Sequence, residues 1–316
     1  MTYQLRQDET EDYGLRRCAG EELDRAVAEL TDGIESDPVT AVHDARKSLK
    51  KTRALLRLGT GTLDPDERRA VNAALRDAGR QLSAARDAEV MIEAVDDLAE
   101  RYAGQLPKPV FDAVRARLEA EAATARGSLA AAGEVADELK RLRARVDGWQ
   151  MRRTGWPAVG DGLRRSYARG RRAFRRARRQ PSTENLHEWR KRGKDLWYHL
   201  RALEPISAST MAGHAEEAHR LSDLLGDDHD LAVLRESLLT DAATAPTDLD
   251  SVIRLIDHRR RQLQVQALSV GARLYAEKPK AFVRRLRAYW RAWRTELPAE
   301  PPVELPGRVP TPTGST

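Results

Sequence analysis

Residues 42 to 58, VHDARKSLKKTRALLRL, return 144 positions later as LHEWRKRGKDLWYHLRAL over residues 186 to 203. In that register His43 falls on His187, Arg46 on Arg190, Lys47 on Lys191, Lys50 on Lys194, Leu56 on Leu200 and Arg57 on Arg201. A repeat at this distance commits the chain to two copies of one supersecondary plan. At about 100° per residue on a helix, His43, Arg46, Lys47, Lys50, Arg53 and Arg57 share one face. Val42, Ala45, Leu49 and Leu56 share the face beside it, so one side packs and the other is basic. The second copy sets His187, Arg190, Lys191, Lys194 and Arg201 beside a packing face of Leu186, Trp189, Leu196 and Leu200.

The register extends beyond this helix. Leu82, Arg86, Asp87 and Val90 meet Leu225, His229, Asp230 and Val233 at a spacing of 143, and Leu142, Arg143 and Trp149 meet Leu286, Arg287 and Trp293 at 144. Gly14-Leu-Arg-Arg17 is echoed by Gly162-Leu-Arg-Arg165 at 148. Duplication of a whole helical bundle accounts for a register held over this length. The composition agrees, with 41% hydrophobic but only 5% aromatic residues and an abundance of Ala, Leu, Arg and Glu. No alternating strand pattern is found.

Several boundaries are readable. A first helix runs from Gly14 to about Asp32, and Asp37-Pro38 supplies an N-cap and a first-turn proline for the first His helix, which stops at Gly59-Thr-Gly61. Asp64-Pro-Asp-Glu67 opens a helix expected to run unbroken through Ala103. Pro107 and Pro109 precede a further helix, and Gly133 precedes the last helical piece of the first half. The helix after Gly162 places Leu163, Tyr167, Gly170, Phe174 and Ala177 on a seam and Arg at nearly every other position. These signals predict an all-α chain of two tandem four-helix bundles at 11–150 and 151–296. A disordered N-terminus (1–10) and a disordered proline-rich tail (297–316) are expected to flank them.

The net charge of +6 is unevenly spread. Residues 1–150 carry 24 Lys and Arg against 29 Asp and Glu, and residues 151–316 carry 31 against 20. A positive surface gathered around the second repeat and the two His helices suits a polyanion. From His43 to Arg57 the stripe extends roughly 21 Å, too long for one phosphate and suited to a linear chain of them. Arg offers a planar fork to phosphate oxygens, Lys a compact charge, and His a donor whose charge a nearby phosphate favours.

Catalytic signals are weak by comparison. No GxxxxGK[ST] loop or GxSxG elbow occurs, and Cys18 has no nearby His. Glu119-Ala-Glu121-Ala-Ala123 falls short of an ExExK triphosphatase signature because it lacks the lysine. Asp227-Asp228-His229-Asp230 admits a metal reading. Its repeat equivalents put Arg86 where His229 stands, so Asp87 and Asp230 fit better as carboxylates that pair with neighbouring Arg or Lys. The indoles Trp149, Trp189, Trp197, Trp290 and Trp293 fall mostly on packing faces. No run of eighteen apolar residues and no signal-peptide core are present, so a cytoplasmic protein without a membrane association is expected.

The paired H-x-x-R-K-x-x-K helices, the Leu82 to Val90 and Leu225 to Val233 segments and the all-helical duplication together resemble the CHAD family, the conserved histidine α-helical domains. The resemblance covers residues 10 to 296 and implies two four-helix bundles related by pseudo-twofold symmetry around a central basic groove or pore. It further implies binding of inorganic polyphosphate and association with polyphosphate granules. Carried over, the ligand-facing residues are His43, Arg46, Lys47, Lys50, Arg57, His187, Arg190, Lys191, Lys194 and Arg201, with Arg17 and Arg165 from the first helices. Arg53 belongs to the same stripe, although its repeat equivalent is Trp197, just as Lys51 meets Asp195. Arg171, Arg172, Arg175 and Arg179 on the preceding helix compensate for the less basic second copy. The expected activity is non-enzymatic polyphosphate binding without a cofactor. Alternatives are a nucleic-acid binder, which the basic faces would attract weakly in any case, and a metal-dependent phosphohydrolase.

Overall fold

The computed structural model describes residues 3–82, 84–126, 131–240 and 249–296, with the backbone alone at 84–89, 121–126 and 131. The expected tail at 297–316 lies outside the described residues. Among the described residues the architecture is all-α. The first half comprises α1 (Glu11–Ala28), a π-helical turn (Glu29–Gly33), α2 (Ile34–Ser36), α3 (Pro38–Leu58), α4 (Pro65–Gln81), α5 (Ala84–Arg101), α6 (Lys108–Arg126) and α7 (Ala131–Asp147). The second comprises α8 (Trp156–Arg179), α9 (Thr183–Ala202), a 3-10 turn (Glu204–Ser207), α10 (Ala208–Thr240), α11 (Leu249–Leu274) and α12 (Pro279–Thr295).

Local chemistry fixes the starts of the functional helices. The Asp37 carboxylate accepts from the backbone N–H groups of Val39 and Thr40 ahead of α3, and Asp64 accepts from Asp66 and Glu67 ahead of α4. Ser182 caps α9 by accepting from the Asn185 N–H. These contacts satisfy N–H groups that the first turn of a helix leaves without partners.

The expected continuous helix from Pro65 to Ala103 is divided. α4 ends at Gln81 and α5 begins at Ala84, whereas its counterpart α10 runs uninterrupted over 33 residues. An external donor serves the free end, since the Arg46 Nη1 donates to the Leu82 carbonyl at 3.1 Å. Gly133 lies within α7 rather than ahead of it.

The expected N-terminal disorder is also corrected, for residues 3–10. Tyr3 and Leu5 are buried, the Tyr3 hydroxyl donates to the Lys51 carbonyl, and the Leu5 N–H donates to the Ala202 carbonyl. Gln7 donates to the Trp293 carbonyl, and Arg294 donates back to the carbonyls of Gln7 and Glu9. This segment straps α3 of the first repeat to α9 and α12 of the second.

Burial follows the predicted faces. Val42, Ala45, Leu49 and Leu56 of α3, Leu186, Trp189, Leu196 and Leu200 of α9, and the seam of α8 are all buried. The cores, however, do not follow the repeats. The larger one draws on α1, α3, α4, α7, α8, α9 and α12, together with the N-terminal part of α10 and the C-terminal part of α11. The smaller joins α5 and α6 to the other ends of α10 and α11 through Leu98, Val114, Leu118, Leu234, Ile256 and Leu263. Helices from both repeats therefore share each core.

The repeats meet at close quarters at Gly162, where a β-carbon would lie 1.8 Å from the Leu58 carbonyl oxygen at the end of α3. Backbone, not a movable side chain, blocks that space. Gly162→Ala is expected to destabilise the fold by about 1–3 kcal/mol through overpacking. Gly133→Ala, with open space around it in α7, should instead stabilise by up to about 1 kcal/mol. Urea unfolding of the two variants checks the contrast.

Candidate functional site

The basic faces of α3 and α9 turn toward one cavity of about 760 Å³, closed on its other side by α5 and α10. His43, Arg46, Lys50, Arg53 and Arg57 reach it from α3, and His187, Arg190, Lys191 and Lys194 from α9. Arg76 of α4 and Arg192 of α9 join them, making, among the described residues, nine Arg and Lys side chains against three carboxylates, Glu188, Asp195 and Asp230. The balance favours an anionic occupant.

Burial strains the charged state of this set. Lys194 is held below the usual lysine range, first by burial and then by Arg190, with Asp223 and Asp230 working the other way. Arg53 is pushed down to about 10 by burial and then by Arg57, and its Nε donates to Asn72. Arg53 remains cationic at neutral pH. The ring of His229 lies on that of His187, with centroids 4.2 Å apart. Burial, followed by the neighbouring His187, Arg190 and Lys191, lowers His229 to about 4. Burial and then Lys191 and Arg190 lower His187 as well. Among the described residues the Nε of Arg190 and the Nδ1 atoms of His187 and His229 are buried without hydrogen-bond partners.

A second basin, of about 930 Å³, opens beside the first. Arg164, Arg165, Arg169, Arg171 and Arg172 of α8 line it with Arg68 of α4 and with Lys278 and Lys280 around the start of α12. Among the described residues no carboxylate lines it. Arg57 and Arg192 line both spaces and so stand between them.

The remaining expected residues go elsewhere. Arg175 and Arg179 are exposed on α8 past the rim of the second basin. Lys47 is exposed outside the cavity's lining, 3.7 Å from Asp44. Arg17 is turned away from both spaces, since Glu9, Glu21 and the Gln4 carbonyl take its donors and make it an anchor for the N-terminal strap. Arg201 packs over the Trp197 ring at 5.6 Å, because an aromatic residue stands one turn earlier where α3 has Arg53.

The sequence reading missed Arg192, which falls outside the shared stripe because its repeat equivalent is Ser48. It also missed Arg76, Arg164, Arg169 and the lysines of Lys278-Pro-Lys280. His229 was weighed only as a metal ligand. Its neighbour Asp228 is buried and accepts from Arg260 and Gln264, away from any shared centre. Among the described residues no three His, Cys, Asp or Glu side chains are grouped to hold a metal. The side chains of Arg86, Asp87 and Glu121 lie outside the described residues. Of the indoles, Trp149, Trp189 and Trp293 are buried, and Trp197 and Trp290 are partly so.

The family model of the CHAD domain matches residues 17–239, which takes in both His helices and the cavity they form. The chain belongs to the CHAD family. A crystal structure of the CHAD domain from the plant Ricinus communis is similar over 92% of this chain and 94% of that one, with a TM-score of 0.54 at 17% identity. At that identity the likeness concerns the CHAD fold. No match was found among curated proteins.

The buried imidazoles give this CHAD protein a pH signature. Folding holds His229 at about 4 against an ordinary 6.5, lowers His187, and holds the fully buried His199 at about 4 mainly by burial. Between pH 6.5 and 4 the unfolded chain takes up protons that the folded chain refuses, so stability falls as pH falls through that window. The melting temperature without ligand should drop between pH 7 and 5, and His229→Gln should flatten part of the drop.

Proposed function

We propose that this protein binds inorganic polyphosphate without hydrolysing it, using the cavity between α3 and α9 as its principal site, and that it thereby associates with polyphosphate granules. The observation carrying this reading is the convergence, among the described residues, of nine Arg and Lys side chains on one cavity with three carboxylates. The buried, unpartnered nitrogens of Arg190, His187 and His229 lie in the same place. An unmet buried polar atom costs about 1–3 kcal/mol. Phosphate oxygens meet such atoms in any order along a chain, and guanidinium forks match them in pairs.

The cavity's lining favours this ligand over nucleic acid. Beside its imidazoles, the cavity's one aromatic lining residue among the described residues is Tyr198, a buried ring that offers no stacking platform, and single-stranded nucleic acid is held largely by stacking. Asn and Gln, the usual readers of adenine edges, are missing from the lining among the described residues. No described helix is long and apolar enough to cross a membrane.

Affinity should be mostly electrostatic and should fall steeply with salt. The test is a titration of the protein with long-chain polyphosphate at near-physiological salt. It is competed by single- and double-stranded nucleic acid at equal phosphate concentration, with phosphate release followed in the same samples. Tight binding that nucleic acid does not displace, without release, is the expected result; equal competition would reduce the site to a general polyanion trap. Replacing Arg46, Lys50, Arg190 and Lys194 together by Ala should abolish binding. Because Arg46 also serves the Leu82 carbonyl, circular dichroism must show retained helicity, and affinity kept by that variant would overturn the site.

A further inference from the structure

Between the two basins stands a carboxylate that the symmetry of the chain does not call for. Asp195 occupies the register position of Lys51, and the two face different surroundings. Lys51 is buried in the first repeat against Glu22 at 3.0 Å, out of reach of either basin. Asp195 turns to the cavity and divides its oxygens, Oδ1 lying 3.2 Å from Arg57 and Oδ2 2.9 Å from Arg192. Its side chain is 13% exposed, so these contacts are largely shielded from water. Glu188 also accepts from Arg192, at 2.8 Å, but from an outer position with 51% of its side chain exposed.

The two guanidinium groups held by Asp195 are the ones that line both spaces. One anionic group with an oxygen on each is the arrangement a phosphate unit would adopt there. The carboxylate also moderates crowding beyond its direct partners. Arg169, held below its ordinary range first by burial and then by Arg192, is supported by Asp195, as is Arg53.

We propose that Asp195 is a built-in competitor that sets the chain-length preference of the site: a phosphate chain must displace it from Arg57 and Arg192 before it can occupy both basins. The inference rests on the polyphosphate reading and adds the residue that tunes it. A tethered carboxylate acts at a high effective concentration, which a short free anion in dilute solution does not match. A long chain already held in one basin presents its next phosphate at a comparable effective concentration and can take the carboxylate's place. Asp195 thus penalises short chains more than long ones.

The experiment measures affinities for tripolyphosphate and for long-chain polyphosphate in the unsubstituted protein, Asp195→Asn, Asp195→Glu and Glu188→Gln. Asp195→Asn should strengthen tripolyphosphate binding on the order of tenfold while changing long-chain binding much less, so the long-to-short ratio narrows. Asp195→Glu, which restores the charge, should recover most of the ratio. Glu188→Gln removes one negative charge without opening the partition. A general field effect grows with ligand charge, so this variant should leave the ratio unchanged or widen it.

If Asp195→Asn strengthens long chains as much as short ones, the inference is overturned and only a field effect is left. Failure of the unsubstituted protein to bind long chains would overturn the polyphosphate reading and this inference together; binding with an unaltered ratio in Asp195→Asn would overturn this inference alone. Circular dichroism and melting curves establish that the variants fold. Asp195→Ser, which admits water to both guanidinium groups, serves the same test if the Asn variant does not fold.

Discussion

Like charges brought together in a partly dry space repel, and the rest of this structure is arranged around that repulsion. Two unit charges 4 Å apart interact by about 4 kcal/mol at an effective dielectric near 20. Among the described residues the first cavity gathers nine Arg and Lys side chains against three carboxylates. Burial and mutual repulsion show in the lowered ranges of Lys194 and Arg53. His187 and His229 respond differently, lying tilted against one another with both imidazoles held below their ordinary range. The chain thereby fills part of the cavity wall with groups whose charge a nearby anion would favour.

A cavity of this kind stays open only if the helices behind it cannot slide apart. Trp189 of α9 is fully buried against Phe174 of α8, and it leaves no room for a β-carbon at Gly271 of α11. Tyr167 of α8 stacks on Phe282 of α12 at 4.0 Å. On the far side of α3, the buried Glu22 accepts from Lys51 and also from Arg25. His199 crosses between repeats, its Nε2 lying 2.8 Å from the Ala54 carbonyl. Because each core contains helices of both repeats, separating the cationic walls would expose apolar surface in both halves at once, which water penalises. Packing holds in place what electrostatics would push apart.

Much of this was legible because helical periodicity states which face of a helix is buried. The α3 and α9 stripes and the α8 seam follow from spacing alone, and Asp37, Asp64 and Ser182 mark helix starts through a chemistry local to a few residues. Periodicity does not state what a face packs against, which is why two cores shared across the repeats were not foreseen. The strap Tyr3-Gln4-Leu5 is too short to show any period, and its anchors lie in α3, α9 and α12. The carbonyl left free after the end of α4 is met by Arg46, 36 residues earlier in the chain. Arg192 escaped notice because the stripe was defined by identity between repeats, and Arg201 was included for the same reason. Repetition finds what two copies share and is silent on where they differ.

Those differences carry the site's asymmetry. α3 gives the cavity His43, Arg46, Lys50, Arg53 and Arg57, and no carboxylate. α9 gives a mixed wall in which Glu188 and Asp195 stand among Arg190, Lys191, Arg192 and Lys194. Across the register, Lys51 has become Asp195, Arg53 has become Trp197, and Ser48 has become Arg192. The first exchange takes a cation that stabilises the first repeat's interior and puts in its place an anion facing the cavity. The second turns a cavity-lining arginine into a ring that draws Arg201 onto its own surface. The third adds the guanidinium that Asp195 and Glu188 hold. The α3 wall is therefore simply cationic, whereas the α9 wall carries its own counter-ions, and an anion lying between the two helices competes with carboxylates on the α9 side, with Asp230 of α10 beside them.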